Sequence, residues 1–362
     1  MRTRNSLKFR QLFIITCGWL IVGFFITLYD YLILHSALSA GPAAHYTFTT
    51  ALVRNLIGGF VGALLGGSLL VFFINVRYQD KPYGYTLAAV CISFPVIIML
   101  VTVVVAVIQV PLQTGQPLGH PESRLALRQF FNDPTPLKNA LVWSFIVGIT
   151  QLLLQINYKF GQNNFWNIIR GKYNTPKKEQ RIFMFLDINA STTIAEQLGN
   201  ERYHALLKDF FADLTPPILD SQGMIYQYVG DEIVIAWNYE EGLKNARCLK
   251  CFYDMKNHLR KKEPHYLKKY GLLPSFKAGI HCGNVIAGEV GVYKRDITYS
   301  GDVLNTTSRI LNKCSELQEE FIASADVLLR IPAAAQFITK PLGALLLRGK
   351  EQRLLLNALM HP

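Results

Sequence analysis

Four long apolar runs, roughly 11–34, 50–76, 83–110 and 138–157, fill most of the first half of the chain. Each reaches the ~20 residues that a helix needs to cross a bilayer, a length and uniformity uncommon in buried soluble helices. The pattern predicts an all-α, four-helix transmembrane domain over 1–157. Residues 158–178, YKFGQNNFWNIIRGKYNTPKK, are polar, aromatic and basic. They read as a connector in which Phe165, Trp166, Ile168 and Ile169 suit either a membrane surface or a short helix ending before Pro176. Beyond 178 the period changes. The short run 182–188 reads as a buried strand ending near Asp187, and 192–198 and 201–214 read as helices, the second disturbed at Pro216 and Pro217. Two β runs, 224–229 and 233–237, flank Gly230, Asp231 and Glu232 as a tight hairpin. A long helix over about 240–262 follows. Strands are expected at 275–282, 284–289 and 297–299, a helix over 302–311, and strands near 319–323 and 344–348. Residues 179–362 therefore form one α+β domain, a mixed sheet with helices, large enough for a single core.

Composition sharpens this division. Half of the 362 residues are hydrophobic and only 17% are charged, which argues against disorder. The net charge of +12 invites a nucleic-acid reading, but its distribution removes that reading. Residues 1–178 carry 15 Lys/Arg against 4 Asp/Glu, whereas 179–362 carry 22 against 21. The excess belongs to the apolar half, where it sets orientation. Arg2, Arg4, Lys8 and Arg10 precede the first span, Arg77 and Lys81 separate the second and third, and Lys159, Arg170, Lys172, Lys177 and Lys178 follow the fourth. By the positive-inside rule both termini and the second domain face the cytoplasm of a plasma membrane. A small-residue segment at 36–40 resembles a signal-peptidase site, but the run before it is long for a signal peptide and contains Asp30.

Within the spans, Gly58, Gly62 and Gly66 recur every four residues, a stripe that lets helix backbones approach, in a dimer or within the chain. Asp30 and Arg54 lie at similar depth in consecutive antiparallel spans, where each snorkels to the headgroups or the two pair with each other. Cys248 and Cys251 form a C-x-x-C on an amphipathic helix with no second pair at ligand spacing, so a zinc or redox role is disfavoured.

The chemistry lies in the second domain. Asp187 and Asp231 project from one sheet edge if their strands are neighbours, and paired carboxylates without His or Cys suit Mg²⁺ or Mn²⁺ rather than zinc. Asn305 and Arg309 share one helix face at a spacing of four, a donor amide beside a guanidinium able to bind a sugar oxygen and a phosphate. Arg348 adds a cation on the last expected strand.

Together the segments FLDI, QYVGDEIVIAW, FKAGIHCGNVIAGEVG and DITYSGDVLNTTSRI resemble, in order and spacing, the class III nucleotidyl cyclases. The resemblance covers about 180–355. It implies a ferredoxin-like core and two Mg²⁺ or Mn²⁺ ions per active site, held by Asp187, Asp231 and the backbone carbonyl of Ile188. It further implies Asn305 on the ribose, Arg309 on the reacting phosphorus and Arg348 on the terminal phosphates. The active sites would form at a homodimer interface, with carboxylates from one chain and the Asn/Arg pair from the other. Base choice in the family uses the positions held here by Gln227 and Thr298. Thr298 fits the adenylyl pattern, whereas Gln227 departs from its usual Lys and also from the Glu of guanylyl cyclases. The resemblance thus implies a membrane-bound adenylate cyclase acting on ATP, in contact with the lipid bilayer and with no nucleic-acid partner. A guanylate cyclase and a receptor with an inactive cyclase-like domain are the alternatives. A diguanylate-cyclase reading of Gly230, Asp231 and Glu232 fails on the preceding Val229.

Overall fold

The computed structural model describes residues 2–36, 47–78, 81–132, 135–160, 167, 170–293, 295–331 and 337–360. The chain divides into two compact units, Asn5–Lys159 and Phe160–Pro362, the latter also taking in Met1–Arg4.

The first unit is helical: α1 (Arg2–Ser36), α2 (Phe48–Gly62), α3 (Tyr83–Thr114), α4 (Pro121–Asn132) and α5 (Thr135–Phe160). From Gly62 the second helix continues through π-helical turns at Ala63–Gly67 and Leu69–Ile74 to Arg77. Four stretches, Lys8–His35, Phe48–Arg77, Gly84–Thr114 and Leu137–Asn157, are long and apolar enough to cross a bilayer. Phe13, Ile92, Met99 and Phe145 stand exposed on them, an exterior that hydrocarbon tolerates and water penalises. The amphipathic α4 was not legible as an element, because its polar face interrupts the apolar pattern. Of the signal-peptidase-like segment, 37–40 lie outside the described residues. So do Phe165, Trp166, Ile168 and Ile169.

The glycine stripe is used inside the chain. A Cβ on Gly59 would stand 3.3 Å from the Trp19 carbonyl and 3.4 Å from the Trp143 ring, and one on Gly66 would meet Phe94 at 2.8 Å. Trp19 is buried there and donates its indole N–H to Thr150 Oγ1 at 3.0 Å. The Asp30–Arg54 pair does not form. Asp30 accepts from Lys138 Nζ on α5 at 2.5 Å instead. Position along a helix was readable from sequence, but the direction a side chain takes around the helix axis, 100° per residue, was not.

In the second unit, eight strands form one sheet ordered β2-β3-β1-β4-β6-β8-β7, with β5 paired to β4. They are β1 (Lys177–Ile188), β2 (Met224–Val229), β3 (Glu232–Asn238), β4 (Phe276–Val290), β5 (Asp296–Ser300), β6 (Phe321–Ser324), β7 (Ile338–Leu346) and β8 (Arg353–Met360). The first four, with α6 (Ser191–Leu198), α7 (Asn200–Asp220), α8 (Tyr239–Leu243), α9 (Arg247–Arg260) and α10 (Glu263–Tyr270) between them, give the order 4-1-3-2 of a ferredoxin-like βαββαβ core. Alternation along β1 decides the layers. Ile182, Met184, Leu186 and Ile188 pack with Leu206, Phe210 and Leu214 of α7 and Leu249 and Phe252 of α9. Phe183 and Phe185 pack with Val234, Tyr299 and, on α11 (Asp302–Leu317), Val303 and Leu311.

Several boundaries differ from the sequence reading. The tandem prolines do not end α7, which runs to Asp220. Pro217 and Ile218 are buried in the core, and the Thr215 hydroxyl bonds the Phe211 carbonyl, so packing outweighs the two missing amide donors. The long helix is broken by a 3₁₀ turn at Lys244–Ala246 with Asn245 in left-handed conformation. The two strands expected within 275–289 are one, and β8 was not foreseen. The boundary near 178 falls inside β1, and the buried Tyr173 already belongs to this unit's core. Cys248 and Cys251 are buried core residues, and burial pushes the Cys251 thiol up to about 12, which leaves it inert.

Gly279 fixes the seating of α11. A Cβ there would lie 2.5 Å from the Leu311 amide nitrogen, a backbone atom that cannot step aside. Gly279→Ala is therefore expected to lift the helix from the sheet and cost about 3 kcal/mol. A drop of several degrees in the thermal transition of this unit checks it.

Candidate active site

The site begins at the edge where β1 ends and β3 begins. Asp187 stands opposite Glu232 on β3 and Lys277 on β4. Gly230 and Asp231 form the two-residue loop between β2 and β3, and Gly230 takes a φ of 63°, which glycine adopts without strain. The antiparallel register thus brings Asp187 and Asp231 together, as their expected strand neighbourhood required. Burial, and next the Asp231 carboxyl beside it, hold the Asp187 carboxyl above its ordinary range, although Lys277 Nζ approaches to 3.1 Å and pulls the other way. Burial, reinforced by Asp187 and Asp231, likewise raises Glu232, to about 7. Tyr203 of α7 faces the same group, its hydroxyl pushed up by burial and by Asp231. A site that holds carboxylates in so costly a state suits a cation as its missing partner.

Lys277, Glu232 and Tyr203 were not singled out by the sequence reading. Lys277 and Glu232 are register partners of Asp187, which only the paired sheet reveals. Tyr203 lies within the run 201–214, which the sequence pattern marks only as a helix.

A second set of side chains gathers around α11. Asn305 is exposed and Arg309 half-buried on that helix. Arg348 is not on a strand. It occupies an exposed turn between β7 and β8, because the chain leaves the β7 ladder at Leu346 and buries Leu347. That turn nevertheless sits against α11. A Cβ on Gly349 would stand 3.3 Å from Arg309 Nη2, and Lys350 forms an ion pair with Asp302. Arg309 and the turn of Arg348 are thus brought to one place.

Gln227 and Thr298 are coupled through their neighbours. The β2–β3 ladder slips between Ile225 and Gln227, making Tyr226 a bulge residue. Its ring lies 5.1 Å from that of Tyr299, and its hydroxyl oxygen accepts the Tyr299 N–H at 3.3 Å. Gln227 is exposed and Thr298 half-buried, each next to one member of this contact. Tyr299 also packs 5.5 Å from Phe183, although their register positions on β4, opposite Ala287 and His281, would lie ~20 Å apart on a flat ladder. The β4–β5 arm therefore curls over this face of the sheet.

Among the described residues neither Asn305 nor Arg309 makes a hydrogen bond or ion pair with Asp187 or Asp231. Thr298 pairs at Gly288, far along β4 from the Lys277 partner of Asp187.

Residues 174–357, just over half of the chain, match the family of adenylate and guanylate cyclase catalytic domains. The chain belongs to this family. Among relatives, Adenylate cyclase 2 of Rhizobium meliloti (strain 1021) is 34% identical over 60% of this chain and 61% of its own length. Adenylate cyclase 1 of the same organism is 27% identical over 47% of this chain and 26% of its own. The chain thus spans under two thirds of the length of each. A solved bacterial light-regulated adenylyl cyclase shares the fold, with a TM-score of 0.52 at 21% identity, covering 60% of this chain and 64% of that one.

The donor set of the cyclase domain fits a hard divalent cation. Its candidate ligands are all oxygens, the donor type a hard cation prefers, although among the described residues no three His, Cys, Asp or Glu side chains are grouped so as to hold a metal ion by themselves. A pair of carboxylates leaves positions for water and phosphate oxygens, the arrangement Mg²⁺ prefers.

Proposed function

We propose that the protein is a membrane-bound adenylate cyclase that converts ATP to 3′,5′-cyclic AMP and pyrophosphate. The observation that carries this reading is the joint presence, in a domain of this family, of the Asp187–Asp231 edge and the Asn305–Arg309 helix face. Asp187, Asp231 and the carbonyl of Ile188 hold two Mg²⁺ or Mn²⁺ ions, which when bound supply Lewis acidity at the ribose 3′-hydroxyl and neutralise triphosphate charge. Asn305 orients the ribose. Arg309 donates to the α-phosphate as charge develops, and Arg348, beside it, holds the terminal phosphates. The 3′-oxygen bonds to the α-phosphorus, the bond to the β-phosphate oxygen breaks, and pyrophosphate leaves.

The sites form between two copies of the chain, because neither set of side chains is complete alone. Val292 and Tyr293, at the tip of the β4–β5 arm, are 82% and 105% exposed, an apolar surface that a second copy would cover. The four apolar helices lie in the plasma membrane with both termini and the catalytic domain cytoplasmic. One span would suffice as an anchor, so four support a regulatory role.

Adenine is favoured because the relatives are adenylate cyclases and because Gln227 can offer an acceptor to N6 and a donor to N1 of the base. Incubation of the protein with Mn²⁺ and ATP or GTP, with identification of the cyclic product, tests the reading. Cyclic AMP is expected, and cyclic GMP alone, or no product, overturns it. Gln227→Glu combined with Thr298→Cys is expected to shift the ATP/GTP preference in kcat/KM by tenfold or more toward GTP, about the 1–3 kcal/mol carried by a bidentate base contact.

A further inference from the structure

Lys277 is a charged residue that the proposed chemistry does not use. It occupies β4 between Phe276 and Ala278, both buried, and stands opposite Asp187 in the β1–β4 register, so the two side chains share one face of the sheet. The Lys277 side chain is 17% exposed and that of Asp187 25%, a degree of cover at which lysine needs a partner. Its Nζ ends 3.1 Å from Asp187 Oδ2. Asp231 and Glu232 add two more carboxyl groups beside Asp187, and the ammonium offsets the repulsion among the three.

From this contact we infer that Lys277 competes with the metal ion for Asp187, holding the carboxylate in place and yielding Oδ2 when a cation binds. An ammonium at hydrogen-bond distance and a divalent ion at coordination distance from one oxygen stand at most about 5 Å apart, where like charges repel strongly. The strand anchors the Lys277 backbone, while its flexible stem leaves Nζ able to swing away. Lys277 is thus a positioning residue that acts through Asp187, and the exchange lowers the metal affinity of the carboxylate edge. This role presupposes Asp187 and Asp231 as metal ligands.

Mn²⁺ alone, without nucleotide, is titrated into the full chain in phosphatidylcholine nanodiscs at about pH 8, where the carboxyl groups are ionised, and free Mn²⁺ is read from its EPR signal. Lys277→Met is expected to bind Mn²⁺ at least about tenfold more tightly than the wild type, through loss of a repelling unit charge, and Lys277→Arg no more tightly than the wild type. The metal-free thermal transition of Lys277→Met should fall, and saturating Mn²⁺ should restore it. A lysine that only braced the strand edge, or only touched a substrate phosphate, would leave Mn²⁺ binding weaker or unchanged when it is lost. Either result, or a Lys277→Met protein with no thermal transition even in saturating Mn²⁺, overturns this role while Asp187→Asn still abolishes Mn²⁺ binding. Wild-type Mn²⁺ binding by Asp187→Asn overturns the metal assignment of the edge and the role of Lys277 with it.

Discussion

Asp187→Asn should lower cyclic-nucleotide formation by roughly 10³-fold, the scale of losing one charge-stabilising group from a preorganised site. The substitution keeps the shape of the side chain but removes the negative charge that would draw the cations in. It also removes the repulsion that raises Glu232 and the ion pair with Lys277. The core beneath, Ile182 to Ile188 on the helix-covered face, is untouched, so the thermal transition should stay close to that of the wild type. Turnover by Asp187→Asn at the wild-type rate, in the presence of Mn²⁺ and ATP, would remove the carboxylate edge from the mechanism. Loss of activity with a lost thermal transition would instead mark Asp187 as structural.

Mixing two dead proteins should restore activity. Arg309→Ala is expected to fail as severely as Asp187→Asn, since it strips the guanidinium from the helix face while leaving the carboxylate edge intact. If the sites are shared between copies, a mixed dimer pairs the intact edge of one chain with the intact helix of the other at one of its two sites. Random pairing makes about half of the dimers mixed, so about a quarter of wild-type activity should return. Co-expression with different affinity tags, followed by tandem purification of the mixed species, would raise the value to about half. No recovery in purified mixed dimers would mean that each chain completes its own site.

Much of this was legible in the sequence because it depended on local pattern. Asp187 ended an apolar strand, Asp231 sat in a hairpin too short to be anything else, and Asn305 and Arg309 were four apart on one helix. The remainder depended on long-range pairing. Lys277 reaches Asp187 only through the β1–β4 register, and no periodicity along the chain encodes which residues face each other across a ladder. Arg348 was assigned to a strand because the run 344–348 is apolar. The structure buries Leu347 and turns the chain directly after it, and the paired strand β8 that follows had no turn residues within it to signal its extent. Asp30 shows the same limit in the helical unit: its partner is Lys138 and not Arg54.

Tyr173, just ahead of β1, has a further consequence. Its hydroxyl accepts from Arg181 at 3.3 Å and from Lys172 at 2.9 Å, and its backbone carbonyl accepts the Glu289 amide at 3.1 Å. Arg181, itself buried, is locked to Glu179 and lies 5.3 Å from the centre of the Tyr299 ring, the neighbour of Thr298. A tether attached only at its end could swivel without disturbing anything downstream. Here the incoming strand is bolted to the β4–β5 arm through Tyr173 and Arg181, so a displacement of Tyr173 is shared by that arm.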